Sequence, residues 1–298
     1  MLDNTNISKH LGQKSEYKAQ YDSTLLVREP RQSNRTHLDI RDDNLPFVGY
    51  DTWNGYEISG LTNNGVPVVG IVKLQYNCNN KYIVESKSLK LYFNSFVMTK
   101  LGNTSAEVLK AIEETAAKDL SELLETEVKV NIFTNKELVS TPYTPSSWHT
   151  HYTTLEDVVD LSTLTVDTYK ETPSLLDVHT YPGEYRFHSS LLRSLCRVTS
   201  QQDTGDIYIY IAGDKVPTPA SLLKYIISYR EECHFHEEIC EAVYKRLLDI
   251  LSPTYLSVKC LYARRGSIDI CPARASSIDL ISDDLIDVGK PHIKLPKQ

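Results

Sequence analysis

The run Leu195-Cys196-Arg197-Val198-Thr199-Ser200-Gln201-Gln202-Asp203 sets a solitary cysteine seven residues ahead of an acid, in a polar segment with no second cysteine nearby. That is a poor disulfide and a poor zinc knuckle. It is a reasonable nucleophile with a proton carrier close by. A thiol attacks near neutral pH because even a small thiolate fraction is very reactive. Most cysteines are inert small hydrophobes, so the rest of the chain must carry part of the argument.

Three further clusters bear on chemistry. The densest is Cys233-His234-Phe235-His236-Glu237-Glu238-Ile239-Cys240. On a helix, Cys233, His236, Glu237 and Cys240 share one face. As a zinc site, two thiolates and an imidazole are suitable ligands at an unusual spacing. As a recognition and acid-base site, His236 moves a proton near neutral pH and Glu237 accepts hydrogen bonds from a ligand's N–H edge. The plain alternative is a solvated helix face with two half-buried thiols. Next, Glu85-Ser86-Lys87-Ser88-Leu89-Lys90 brings an acid, two hydroxyls and two cations to a strand end. Carboxylates bind guanidine-like edges of purines, and lysine and serine suit phosphate; an exposed strand-to-helix turn would look the same. Finally, Arg264-Arg265-Gly266 is a cationic hairpin tip that either holds a phosphate or keeps an edge soluble. No Gly-x-Gly-x-x-Gly follows a strand, and neither a Walker loop nor an HExxH motif occurs.

The elements that must position these groups follow from pattern. Residues 1–45 are polar and read as an arm or extended lead-in. Leu45 to Tyr56 is aromatic and glycine-containing and reads as an ordered loop. Val66 to Tyr76 and Lys81 to Ser86, separated by Asn77-Cys78-Asn79-Asn80, predict a hairpin. Thr104-Ser105-Ala106-Glu107 is a capping box opening a helix to about Glu125, with Val108, Ile112, Ala116 and Leu123 near one face. Glu127 to Phe133 is a strand. Residues 134–184, rich in Thr, Ser and Pro, read as linker and excursion. Then come a strand at Asp206 to Ile211, a helical region from Ser221 to about Leu251, a strand at Tyr255 to Ala263, and Ser267 to Cys271 after a turn.

The second half replays the first. At an offset of 133 residues, Ser88-Leu89 meets Ser221-Leu222, Tyr92 meets Tyr225, and Ser95-Phe96 meets Ser228-Tyr229. Antiparallel strands with long helices on one face make an α+β layer. Two such modules would join into one sheet, and dimerisation would help cover its edges.

Composition bounds the function. The chain has 298 residues, room for about two domains. Hydrophobic content of 41% and charged content of 24% are those of a globular protein. No apolar run reaches the roughly 20 residues of a membrane span. The polar N-terminus lacks a signal-peptide core. The expectation is a cytoplasmic protein with no membrane partner. Six cysteines without a CxxC pair predict reduced thiols. A net charge of −7 argues against a general nucleic-acid binder and favours a small-molecule partner.

Together these runs are more specific than any alone. Leu45 to Glu57, Glu85 to Phe96, Leu195 to Asp203, Phe235-His236-Glu237 and Ala263 to Pro272 resemble, in order, the signature of the NADPH-dependent 7-cyano-7-deazaguanine reductases, the QueF family, in its long form. The resemblance spans roughly residues 37–275. It implies tandem tunnelling-fold modules, similar to GTP cyclohydrolase I. The implied limits are an arm at 1–36, modules at 37–133 and 185–275, a linker at 134–184 and a tail at 276–298. It implies NADPH as co-substrate, no metal, a deazapurine nitrile as substrate, a homodimer, and a place in queuosine biosynthesis. By the same resemblance, Cys196 attacks the nitrile to form a thioimide, Asp203 donates a proton, and His236 assists. Val84, Glu85, Ser86, His236 and Glu237 are implied to hold the deazaguanine. Ser86, Lys87, Arg265 and Gly266 are implied to hold NADPH. The pattern departs at Arg197, Gln202 and Thr204, where the family has Pro, Pro and Trp, so the loop between Cys196 and Asp203 is altered. A zinc-dependent cyclohydrolase of the same fold, using Cys233, His236 and Cys240, and a non-catalytic purine-binding module are the alternatives.

Overall fold

Strands with both faces covered organise this chain, and they explain where sequence pattern succeeds and fails. The computed structural model describes residues 20–134, 137, 147–197, 200–291 and 297–298. The lead-in forms β1 (Arg28–Pro30) and α1 (Gln32–His37). The first half then gives β2 (Val48–Thr62), β3 (Pro67–Asn77), β4 (Tyr82–Val84), α2 (Ser86–Ser95), β5 (Lys100–Gly102), α3 (Ser105–Leu124) and β6 (Val128–Phe133). A short β7 (Thr153–Thr154) and α4 (Leu155–Val158) lead to the second half. That half consists of β8 (Val178–Leu195), β9 (Gln202–Pro217), α5 (Pro219–Ile227), α6 (His236–Leu251), β10 (Tyr255–Tyr262) and β11 (Ile268–Ala275). α7 (Asp283–Ile286) follows.

The two halves share one sheet, as expected, in the order β6-β3-β2-β11-β10-β9-β8-β7, with β5 beside β2. Its seam is the antiparallel pairing of β2 with β11, from Gly55 opposite Ile268 to Val48 opposite Ala275. Gly49 permits that seam: a Cβ there would sit 2.0 Å from the Ala273 carbonyl oxygen. α3 packs on β2, β3 and β6, and α6 on β9, β10 and β11. Trp53, Val72 and Leu74 lie under the first layer, and Ile209 and Val258 under the second. The buried stripe of α3 is Val108, Ile112, Ala116, Leu120 and Leu124, spaced every fourth residue; Leu123 is only half-buried. Thr104 Oγ1 accepts from Glu107 N at 3.2 Å, and Glu107 returns a bond to Asn103 N.

Three expectations are corrected. The hairpin between Val66–Tyr76 and Lys81–Ser86 does not form; β3 pairs with β2 and β6, and β4 pairs with β1. Leu45 to Tyr56 is no loop, because most of it is β2. Its pattern misleads because both faces are buried: Asp51 and Trp53 lie under helices, while Thr52 Oγ1 donates to Leu285 O at 2.8 Å across the other face. Lys73 on β3 likewise donates to Asp284 O and Asp287 O. The C-terminal stretch after β11 therefore packs on the sheet, with Ile281 and Leu285 buried. Third, of the two readings of residues 1–45, the part from Gln20 is a packed lead-in, with Arg31 and Arg35 buried, and not a free arm.

Arg31 and Arg35 of that lead-in are buried in an ion network at the seam. Arg31 pairs with Asp51, and Arg35 donates to Glu241 through both Nε (2.9 Å) and Nη2 (2.8 Å). Arg274 bridges Asp51 and Glu241, at 2.8 Å each. Burial alone would push the Asp51 carboxyl up, but Arg274 and Arg31 hold it below the ordinary range. The helical region from Ser221 to Leu251 divides into α5 and α6, so a helix N-terminus falls at Phe235-His236-Glu237. No described helix is long and apolar enough to cross a membrane.

Candidate active site

The loop between β8 and β9 is closed on itself. Cys196 N donates to Gln201 O at 2.8 Å, and Ser200 N to Cys196 O at 2.9 Å. Ser200 takes a left-handed conformation (φ 53°) to make that closure. Leu195 N also donates to Glu232 O at 2.8 Å, fastening the loop to the approach of α6. Val198 and Thr199 lie outside the described residues. Cys196 is half-buried and Asp203 buried, one at each mouth of the loop.

Electrostatics tune both ends. Lys87 Nζ stands 3.8 Å from Cys196 Sγ, and a cation beside a thiol stabilises the thiolate. Asp203 accepts from Arg265 Nη1 at 3.0 Å, and its other oxygen lies 3.7 Å from His236 Nε2. Burial raises the Asp203 carboxyl, against the pull of Arg265, Lys90 and Lys87. That is the desolvation a carboxylic proton donor needs. Burial, then the cations of Lys90 and Arg265, push His236 down to about 3. Its ring is therefore a neutral hydrogen-bonding group, not an imidazolium near neutrality.

The two glutamates are set differently. Glu85 is the N-cap of α2: Oε1 accepts from Lys87 N at 3.0 Å and Oε2 from Ser88 N at 2.7 Å. Each carboxylate oxygen keeps further acceptor capacity. Glu237, in the first turn of α6, is 2% exposed, and its Oε1 has no hydrogen-bond partner. Burial, then the Asp51 charge, raises it to about 8.

Two cavities meet at the loop. The smaller is lined by Val84, Glu85, Ser86, Phe235, His236 and Glu237, with Trp53 and Ile270 as walls. The larger, about 270 Å³, is lined by Ser86, Lys87, Lys90, Gln201, Arg265 and Gly266. Both reach Cys196, Asp203 and His236. Gly266 makes the turn between β10 and β11 with φ 53°, against the Lys90 side chain. Every residue expected at the site lines one or both cavities.

The expected helix face of Cys233, His236, Glu237 and Cys240 does not exist. α6 begins at His236, so Cys233 precedes it and is exposed. Cys240 is buried, with Sγ near Val258 O and Pro272 O at 3.5 Å each. These ligand types do not converge, and the cyclohydrolase alternative loses its metal site. Sequence reasoning assigned no individual role to Trp53 or Phe235. Lys90 belongs to the run already read as suiting phosphate, and it lines the larger cavity beside Lys87. Trp53 has no such signal, since only sheet pairing brings β2 to the pocket.

Comparison with known proteins agrees with this geometry. Residues 17–132 match the family model described as "Nitrile reductase, 7-cyano-7-deazaguanine-reductase N-term", and residues 203–292 match "QueF-like protein". Among curated relatives is the NADPH-dependent 7-cyano-7-deazaguanine reductase of Rickettsia massiliae. It is 38% identical over 89% of this chain and 92% of its own. That of Colwellia psychrerythraea is 36% identical over 92% and 94%, and that of Legionella pneumophila 35% over 89% of each. With paired cavities meeting at a cysteine and an acid, and with matches across both halves, this chain belongs to the NADPH-dependent 7-cyano-7-deazaguanine reductase family.

Proposed function

We propose that this chain reduces the nitrile of 7-cyano-7-deazaguanine to the primary amine of 7-aminomethyl-7-deazaguanine, in queuosine biosynthesis. The observation that carries this is the sharing of Cys196, Asp203 and His236 by two cavities of different chemistry. In the smaller one, Glu237 Oε1 and the spare lone pairs of Glu85 face the donor-rich edge of the deazaguanine. Phe235 and Trp53 suit its aromatic faces.

The larger cavity fits a phosphate-bearing nucleotide. Burial, then the neighbouring Lys87 cation, push Lys90 down, with Arg265 adding to the effect. An anion would relieve that repulsion. Ser86, Lys87, Lys90, Arg265 and the backbone at Gly266 would hold NADPH there, and NADPH would supply hydride. Cys196 adds to the nitrile carbon, forming the C–S bond of a thioimide, while the nitrile nitrogen takes a proton from Asp203. This converts a weak electrophile into an imine-like acceptor. Two hydrides and two protons in all complete the four-electron reduction, and the thiolate leaves between them. Neutral His236 orients Asp203. We further propose two tunnelling-fold modules, 37–133 and 185–275, a homodimer, and a cytoplasmic setting where thiols stay reduced.

The test is NADPH oxidation on adding the nitrile, with intact-mass analysis. Two NADPH per nitrile, a covalent adduct on wild type only, and loss of at least about 10³-fold in Cys196→Ala are expected. Binding without turnover or adduct would leave a purine-binding module.

A further inference from the structure

We propose that Arg197 is a positioning residue that clamps the nucleophile loop to the N-terminus of α6. The inference rests on the reductase reading above and concerns the same site. Arg197 directly follows Cys196, and its side chain reaches the segment 233–238. Nη2 lies 2.6 Å from Glu238 Oε2, Nε is 3.5 Å from Cys233 O, and the guanidinium stands 4.8 Å over the Phe235 ring. Glu238 is itself held: Oε2 accepts from Phe235 N at 2.9 Å, and His234 Nδ1 is 3.3 Å away. The Glu238 side chain is 7% exposed and that of Arg197 26%. Exposed pairs of mobile side chains fix little. Here the carboxylate is locked in a helix cap, and the planar guanidinium meets both it and an aromatic face.

The far end of the loop is held separately. Arg265 donates to Gln201, to the Gln202 carbonyl and to Asp203. Two arginine anchors thus tie this loop to different elements. Arg197 ties the thiol to the Phe235 wall of the smaller cavity, and Arg265 ties the acid to the β10–β11 turn. The distance from thiol to substrate carbon is set by the first anchor, and geometry of that kind controls rate steeply.

The experiment compares Arg197→Gln, Glu238→Gln, the double variant and Arg197→Lys with wild type. Glutamine at 238 still accepts from Phe235 N, so the cap survives. Each glutamine variant is expected to lower kcat about tenfold, with KM for NADPH unchanged. The double variant should be no worse than either single. Arg197→Lys should recover little, because it lacks the planar fork. Cys196 alkylation by iodoacetamide, followed by peptide mass across pH, needs no turnover. A through-space charge effect would move the two neutralising variants in opposite directions. A released clamp moves both the same way. Additive losses, opposite alkylation shifts, or a lowered melting temperature with kcat and KM both degraded would overturn the clamp. A wild type that oxidises no NADPH would instead overturn the reductase reading, and alkylation would still judge the clamp.

Discussion

Glu85 and Thr218 stand 133 residues apart, each the N-cap of the first helix of its half, α2 and α5. Thr218 Oγ1 accepts from Ser221 N at 3.3 Å, the ordinary work of a cap. Glu85 does the same work with a longer side chain and retains lone pairs that face a cavity. The contrast reverses at the strand connections. β2 and β3 are joined by a short turn with Gly65 at φ 86°, whereas β8 and β9 are joined by the loop that carries Cys196. It holds again at the second helices: α3 opens on Ser105-Ala106, α6 on His236-Glu237. Each half keeps the minimum that closes an element in some places and adds reactive groups in others. The two cavities are lined from the non-equivalent positions, with the Glu85-capped helix start from the first half and Cys196, Asp203 and Glu237 from the second.

The seam should be the most costly place to break. Arg274→Ala leaves Asp51 and Glu241 each short of a cation in the interior. A loss of about 3–5 kcal/mol is expected in denaturant unfolding. The network carboxylates are held low, so wild type should lose their contribution as pH falls through the carboxylate range. A loss below 1 kcal/mol would mean that the halves do not depend on this junction.

Exchanging the caps tests the division of labour. Glu85→Thr copies the second half into the first. Ligand affinity should fall by about 2 kcal/mol, while stability stays within about 0.5 kcal/mol. Thr218→Glu should change neither binding nor turnover. Calorimetric titration with the deazaguanine checks both, and equal effects would dissolve the comparison.

Glu237 carries a pH signature of its own. Its folded form favours the proton, so its contribution to stability is full below the ordinary carboxylate range and is lost as pH rises through about 8. A ligand offering N–H donors prefers the carboxylate. Binding should therefore tighten as pH rises towards 8, by up to about tenfold per unit, with proton release. In Glu237→Gln that dependence should vanish. Persistence of the slope would point to a different titrating group.

The smallest effect concerns the ends of the two long helices. Glu125 and Ser252 both adopt left-handed conformations, with φ of 54° and 48°. Glu125 also pairs with Arg28, while Ser252 is exposed. Ser252→Gly should stabilise by about 0.5–1 kcal/mol, measurable by thermal unfolding.

Much of this was legible before any coordinates. The offset of 133 relates the starts of α2 and α5, Ser86 and Pro219, which the pattern already suggested. The Cys196–Asp203 spacing and the Glu85 to Lys90 run pointed to the groups that line the cavities. What misled was burial of polar residues. Arg31, Arg35, Thr52 and Lys73 have the composition of solvated chain, yet partners more than twenty residues away satisfy most of them. His236 is lowered for the same reason, by burial beside Lys90 and Arg265.

The sequence by itself determined which chemistry-bearing residue types cluster and where α3 starts, because these depend on side-chain type and near-neighbour spacing. Tertiary structure alone decided that β2 is a strand of the seam, that burial raises Glu237 while Glu85 caps a helix, and that Arg197 reaches Glu238. Those outcomes depend on desolvation and on charges brought together from distant segments, and neither has a local signature.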